Sequence, residues 1–507
     1  MSSIAATCKR YLNELFLSGL FVPMADTEGA ILSLPAPGWL VAVGACVLFL
    51  LGMLRWRSML LPFFVILYVE GFFRNLLDTP AVLLVKDVLL AGIYAGFLLY
   101  ALQHRRWLAL PRSLGLPLVC FFALAVFQMF NPALGSLAVG LVGLKTYFYY
   151  LPLCIIAPAL FNTRQRLYRT LASLLLIAIP VAAYGIMQYV QGPEAYASLG
   201  PAFRRAMFVI IDEYYQGTVL FRPSATFSWP SHYSTFLGFS VMLVMGAMHL
   251  RRAPHLRRIA WLVLPVLTVA VIASGQRSLY LLLPATIMLM LMLVRAAGAL
   301  LRLGAGLVAV GLGIAFFAPP AILGRFASFF AESQGGLISS RFHAAWNNLA
   351  RAVLTSPLGQ GTGISALGSR YVSLDAFIFT ESLFARIVNE LGILGLVTFF
   401  WLYLALLSYS WHVLRQIRDR DLRHLAAMVF AYLAGSFLGI YGSNSLDVAV
   451  SAVSFWLMLG IARTVSALDR EASATESARI AQRTGTIRRI PVPVSLGHLG
   501  PGRLPMR

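Results

Sequence analysis

Charge is what this chain has least of. Only 12% of its 507 residues are Asp, Glu, Lys or Arg, against about 25% in soluble proteins, which excludes an ordinary soluble globular fold. Acids are scarcer still, 19 against 40 Lys and Arg, for a formal net charge of +21. The four cysteines, Cys8, Cys46, Cys120 and Cys154, are scattered, the last three within apolar runs. Neither a disulfide framework nor a thiolate metal site is expected from them. No carboxylate, His or Cys cluster has ligand spacing, so the chain is read as using no metal and no cofactor. The N-terminus is polar and mixed, without the basic-then-apolar pattern of a cleavable signal peptide. No convincing internal repeat is present.

What the chain has in plenty is apolar sequence: 59% of its residues are hydrophobic. A helix needs roughly 20 apolar residues to cross a bilayer. Such segments lie near 38–54, 59–73, 80–102, 114–130, 137–160, 167–190, 231–250, 259–274, 278–295, 298–318, 380–408, 423–442 and 445–464. Residues 12–34 are apolar but broken by Pro23, Asp26 and Glu28, and read as an extra span or a surface helix. The expectation is an all-α, polytopic membrane bundle of about 12–14 spans over residues 1–465. Residues 466–507 are polar, basic and rich in Pro and Gly near their end, and read as a disordered cytoplasmic tail.

Arginines set the orientation. Arg55 and Arg57, then Arg105, Arg106 and Arg112, then Arg164, Arg166 and Arg169 occupy every second loop. The alternation continues through Arg251, Arg252, Arg257 and Arg258, through Arg295 and Arg302, and through Arg415, Arg418, Arg420 and Arg423. Basic short loops stay in the cytoplasm. Two long segments, 191–230 and 319–379, then fall on the outer side, and their aromatic content predicts short amphipathic helices on that face. Because most of the basic residues sit in short membrane loops, a nucleic-acid partner is excluded.

Arginines on the outer side need another reason. They are Arg204, Arg205 and Arg222 in the first long segment, Arg325, Arg341, Arg351 and Arg370 in the second, and Arg277 in the tight turn SGQRS. Arginine offers planar, bidentate bonds to phosphate and keeps its charge at any working pH. The alternative is pairing with a carboxylate or a lipid phosphate.

Charges within spans are costly and face the bundle interior or a wet cavity. Lys86 and Asp87 cannot meet each other as i,i+1 neighbours, so each needs a further partner, Glu70 and Arg74 being candidates. Lys86 and Lys145 read either as structural ion pairs or as cavity-lining cations. Arg386 and Glu390 have the spacing to pair on one helix. Glu381, at the outer end of its span, reads either as a general base or as an acid favoured by the helix dipole. His232 is a cavity-lining candidate, read as a hydrogen-bonding residue or a catalytic one.

Three stretches together resemble the superfamily of O-antigen ligases and Wzy-type polysaccharide polymerases, the bacterial inner-membrane glycosyltransferases. They are RPSATFSWPSHYSTFL from Arg222, SGQRSLY from Ser274, and the region from Arg341 through SPLGQGTG at Ser356 to ESLFARIVNELGILG at Glu381. The resemblance covers roughly residues 60–460 and includes the long outer loop before the last few spans. It implies glycosyl transfer on the periplasmic face from an undecaprenyl diphosphate-linked oligosaccharide, with membrane lipids as surroundings and a chain-length regulator or flippase as protein partner. The resemblance implies that Arg222 and Arg277 hold the diphosphate, and Arg341, at a recurrent family position, is expected to join them; Glu381 is the candidate general base. Ligases of the superfamily have a His-Asn pair where this chain has Glu381-Ser382, which leans towards the polymerase branch. The expected activity is metal-independent and inverting: polymerisation of capsular, O-antigen or exopolysaccharide repeats. The alternatives are ligase-type transfer of finished glycan to a lipid or protein and, in another class, a transporter or flippase of lipid-linked sugars.

Overall fold

The computed structural model describes residues 38–79, 81–105, 110–205, 211–215, 218–296, 298–301, 304–306, 337–373, 377–380 and 382–483. The chain is an all-α polytopic bundle. In order its helices are α1 (Gly38–Leu54), α2 (Leu60–Leu77), α3 (Val82–Gln103), α4 (Arg112–Met129), α5 (Leu137–Phe148) and α6 (Pro152–Leu160). Then come α7 (Arg164–Ala197), α8 (Pro201–Arg205), α9 (Pro230–Met248), α10 (Pro254–Ala273) and α11 (Arg277–Leu293). After these follow α12 (Leu337–Thr355), α13 (Leu383–Gln416), α14 (Arg420–Tyr441) and α15 (Ala449–Arg483).

Among the described residues, eight helices are long and apolar enough to cross a membrane, or up to nine if the bent pair α5–α6 is one span. The sequence reading places about 12–14 spans; of these, some are too short or too polar at one end for that test and others lie outside the described residues. Residues Ala42–Leu54 and helix α11 are apolar but short. Helix α9 opens with the polar run Pro230-Ser231-His232 and is buried along most of its length at the bundle centre. Most of 298–318, and all of 12–34, lie outside the described residues.

The two ends of the bundle differ. At one end Asp419 caps α14, accepting from the backbone N–H groups of Asp421 and Leu422. It also takes Arg164 at 2.7 Å and Arg252 at 2.5 Å. Asp421 accepts from the N–H groups of Arg251 and Arg252, and Asp469 from those of Arg418 and Asp419. Three aspartates thus tie together three arginine-bearing segments, those of Arg164, Arg251–Arg252 and Arg418. The anchoring through Asp469 also corrects an expectation. Residues 466–483 are not a structureless tail but the continuation of α15, and only 484–507 lie outside the described residues.

At the opposite end the chain leaves regular helix in three places. The first long segment holds α8 and an antiparallel hairpin, β1 (Ile211–Tyr215) with β2 (Thr218–Phe221), where only short helices were expected. Ile211, Tyr214, Tyr215, Thr218, Val219 and Phe221 are residues that favour strand over helix. The second long segment supplies α12, whose Ala345 and Ala352 are buried while Phe342, Trp346 and Leu354 are exposed, the expected amphipathic helix.

The third place is inside α13. Gly392 has φ 74° and ψ −172°, a conformation that L side chains essentially do not adopt. Phe384 and Phe400 have ring centroids 5.0 Å apart, whereas 16 residues of straight helix rise roughly 24 Å. The helix therefore doubles back at Gly392, and residues 383–391 pack antiparallel to those that follow. Reversal orphans backbone groups, and the SPLGQGTG loop satisfies them. Gln360 N–H donates to Asn389 O (2.7 Å), Gly361 N–H to Glu390 O (3.1 Å), and Ile393 N–H to Pro357 O (2.9 Å). Gln128 Nε2 donates to Leu358 O at 2.6 Å, and Thr362 Oγ1 to Ala125 O at 2.5 Å. Irregular backbone at membrane depth is tolerated when protein encloses it in this way.

Candidate functional site

Arg222 stands at the head of a short extended segment that is held on three sides. Gln188 of α7 clamps Ala225 with its amide, donating to Ala225 O at 3.1 Å and accepting from Ala225 N–H at 2.8 Å. Ala225 has φ 49°, so this clamp also holds an unusual backbone conformation. Thr226 O accepts from Phe72 N–H at 2.8 Å, and Thr226 Oγ1 donates to Tyr68 O at 2.5 Å, which wedges the segment into the ladder of α2. Held so, Arg222 points its Nη1 at Gln276 Oε1, 3.5 Å away. Gln276 immediately precedes Arg277, the first residue of α11. Both arginines are half-buried. Two motifs 54 residues apart thus meet at one place.

A second group surrounds α5. Lys86 Nζ lies 2.7 Å from Glu70 and 3.9 Å from Asp87, and Lys145 Nζ lies 2.5 Å from Asp87. Glu70, Lys86, Asp87 and Lys145 form a row of alternating charge across α2, α3 and α5. Tyr150 donates to Asp87 Oδ1 at 3.0 Å, and Tyr149 to the Asp87 carbonyl. The expected pairing of Lys86 with Glu70 is there. The Lys145 side chain is 40% exposed against 5% for Lys86, so only Lys145 can meet a solute. His232 is half-buried at the start of α9, with the positive charges of Arg74, Arg370 and Lys86 acting on it.

The third group is enclosed. Arg386 sends Nε to Glu390 at 2.8 Å and Nη1 to Asp447 at 3.0 Å, and its guanidinium lies 4.8 Å from the centroid of the Tyr147 ring. Backbone N–H groups of Ser365 (3.2 Å) and Leu367 (2.7 Å) complete the two carboxylates. Arg386 and Glu390 have no exposed side-chain surface and Asp447 has 2%. Arg386 is therefore a structural cation tying the folded-back helix to the α14–α15 turn.

The remaining expected residues are placed less fully. Arg341 belongs to α12, but its side chain lies outside the described residues, as does Glu381 altogether. Sequence reasoning gave no role to Gln188, Gln128 or Asp447. A buried glutamine in an apolar helix is the available signal for the first two, since a buried amide demands partners. Arg370 was grouped with the outer arginines and given no task.

Fold and helix composition define the class: a multi-pass, all-α membrane protein. No family model matches the chain, and no curated protein matches it significantly.

Proposed function

We propose that the protein is a glycosyltransferase of the bacterial inner membrane that polymerises lipid-linked polysaccharide repeats on the periplasmic face. The observation that carries this reading is the meeting of Arg222 with the Gln276–Arg277 turn. Two half-buried arginines at one end of a membrane bundle fit the two phosphates of an undecaprenyl diphosphate, whose lipid tail stays in the bilayer. The end bearing three aspartate-tied arginine loops is then cytoplasmic by the positive-inside rule.

In this reading the glycan donor sits with its anomeric carbon just outside the membrane. Arg222 and Arg277, joined by Arg341, hold the diphosphate and stabilise the charge it gains on leaving. A hydroxyl of the acceptor unit attacks from the opposite face, forming the glycosidic bond as the C–O bond to phosphate breaks. Glu381 takes the hydroxyl proton. Single displacement inverts the anomeric centre.

The test is Arg277→Ala and Arg277→Lys in cells, with surface polysaccharide and lipid-linked intermediates analysed together. The expected result is loss of long chains and accumulation of single repeat units in Arg277→Ala, with Arg277→Lys partly active. Normal chain lengths at normal protein levels would remove Arg277 from the site. Polymer made but left unattached would instead identify a ligase. Purified protein that moves lipid-linked sugar across vesicles but forms no glycosidic bond would identify a transporter.

A further inference from the structure

On the diphosphate reading of Arg222 and Arg277, we propose that Gln276 is a positioning residue: an uncharged bridge that aims Arg222 alongside Arg277 without supplying a counter-charge. Gln276 is an odd residue for its place. It is the N-cap of α11, with extended backbone (φ −86°, ψ 104°), yet its side chain makes no capping bond to the helix it begins. Caps are ordinarily Ser, Thr, Asp or Asn, whose short side chains reach the N–H groups of the first turn. Here the side chain is spent elsewhere. Gln276 Oε1 accepts from Arg222 Nη1 at 3.5 Å, and Nε2 donates to Ser278 Oγ at 3.3 Å. One end of the amide holds a guanidinium from the segment after β2, and the other is tied to the first turn of α11.

The backbone beneath the amide is held as well. Ser274 Oγ donates to Val271 O at 2.7 Å and accepts from Gln276 N–H at 3.4 Å. Tyr280 Oη reaches back one turn of chain to Ile272 O at 2.5 Å. Gly275 turns the chain between the two helices with φ 62°, a conformation glycine adopts without cost. Arg277 is the next residue, so a fixed Gln276 sets both arginines in one frame. An acid would make a stronger link. A carboxylate bonds a guanidinium roughly twice as strongly as a neutral oxygen does, and the helix dipole favours negative charge at this position. For holding the fold together, glutamate would serve better than glutamine. It would also set a negative charge beside the phosphates. Glutamine offers the acceptor oxygen without that charge. Stability and anion binding should therefore respond in opposite directions to one substitution.

The experiment titrates the purified full chain in detergent with inorganic pyrophosphate by calorimetry, for wild type, Gln276→Glu and Gln276→Leu. Melting is followed on the same samples, and polysaccharide chain length is scored in cells. Wild type is expected to bind. Gln276→Glu should melt at or above wild type yet bind pyrophosphate about tenfold or more weakly, because a like charge then faces the anion. Its chains should be shorter. Gln276→Leu, which cannot hold Arg222 in either way, should bind roughly threefold to tenfold more weakly, the order of one lost hydrogen bond. Gln276→Glu that binds as wild type does, or that loses binding and stability together, overturns the proposal, as does unchanged binding in Gln276→Leu. Wild type that binds no pyrophosphate overturns it too, and Arg277→Ala then decides whether the reading beneath it falls as well: normal polymer removes both. If Arg277→Ala loses long chains while both Gln276 variants keep wild-type chains and affinity, the bridge alone falls.

Discussion

Removing the Arg386 side chain should harm the protein more than removing the whole network it serves. Arg386 balances two carboxylates, Glu390 and Asp447, in a pocket that water does not reach. Arg386→Met keeps the length and apolar stem but leaves two acids facing each other. Breaking a buried ion pair by deleting one partner costs about 3–5 kcal/mol, because the surviving charge is stranded. Loss of the contact with the Tyr147 ring adds up to about 2 kcal/mol for a desolvated cation. Arg386→Met/Glu390→Gln/Asp447→Asn strands no charge, and neutral replacement of a buried network is often nearly without cost. The amides keep acceptors for the Ser365 and Leu367 N–H groups. The assay is heating in detergent, with surviving monodisperse protein measured by size-exclusion chromatography. The expected order of midpoints is wild type, then the triple variant, then Arg386→Met well below both. A single variant as stable as wild type, or a triple variant no better than the single one, would refute the reasoning. Arg386→Lys should fall between, since one ammonium cannot fork to both acids.

Other expectations follow from the same geometry. Gly392→Ala places a Cβ 2.6 Å from Pro357 O in a backbone region closed to alanine; its strain of about 1–3 kcal/mol plus the clash should cut the yield of folded protein in membranes. Gln188→Leu strips both bonds from Ala225, about 1–3 kcal/mol for each buried group left unsatisfied, and frees the segment bearing Arg222. Polysaccharide chain length should then fall as in Arg222→Ala, and unchanged chains would show that the clamp does not position Arg222. At the arginine-rich end, burial pushes the Asp419 carboxyl up, but bonds from Arg164 and the Leu422 N–H, with the charges of Arg164 and Arg252, bring it below its ordinary value. A depressed carboxylate contributes stability above the ordinary value of about 3.9 and loses it as pH falls through the lower, folded one. Asp419→Asn should therefore be less stable than wild type at neutral pH, the gap closing on acidification below about pH 4. A constant gap would place the effect in capping alone.

The spans were legible because a bilayer imposes length and apolarity, both local properties of sequence. So were the pairs that one helix or two adjacent ends create: Arg386 with Glu390 at i,i+4, and Lys86 with Glu70 across one short turn. The reversal at Gly392 was not legible. Residues 380–408 read as one apolar run, and nothing in hydropathy distinguishes a straight helix from one folded on itself. The signal lay 30 residues upstream, in the three closely spaced glycines of SPLGQGTG. All three have positive φ, at 83°, 116° and 94°, and sit where a Cβ would strike a neighbour. Such a loop needs a surface of free backbone groups to bond, and the broken helix provides one. The extension of α15 to Arg483 was hidden because polarity was taken for disorder. Ala, Glu and Arg are good helix formers, and Asp469 gives the polar turns a docking partner.

For the site, sequence could gather arginines on one end but not sort them. The sorting depends on where the acids went, which is a property of the folded chain. Asp447 reaches Arg386 from 61 positions away, and Asp87 reaches Lys145 from 58. Glu70, Glu390, Asp87 and Asp447 are each held by a lysine or arginine inside the bundle. Arg74 and Arg370 nearer the rim bond to no carboxylate among the described residues, although the charge of Arg74 acts on Glu70. Arg222 reaches an amide oxygen of Gln276. Among the described residues, these interior acids are matched to interior cations, while Arg74, Arg222 and Arg370 bond to amide or phenol oxygens. The proposed anionic substrate rests on this sorting of the described charges.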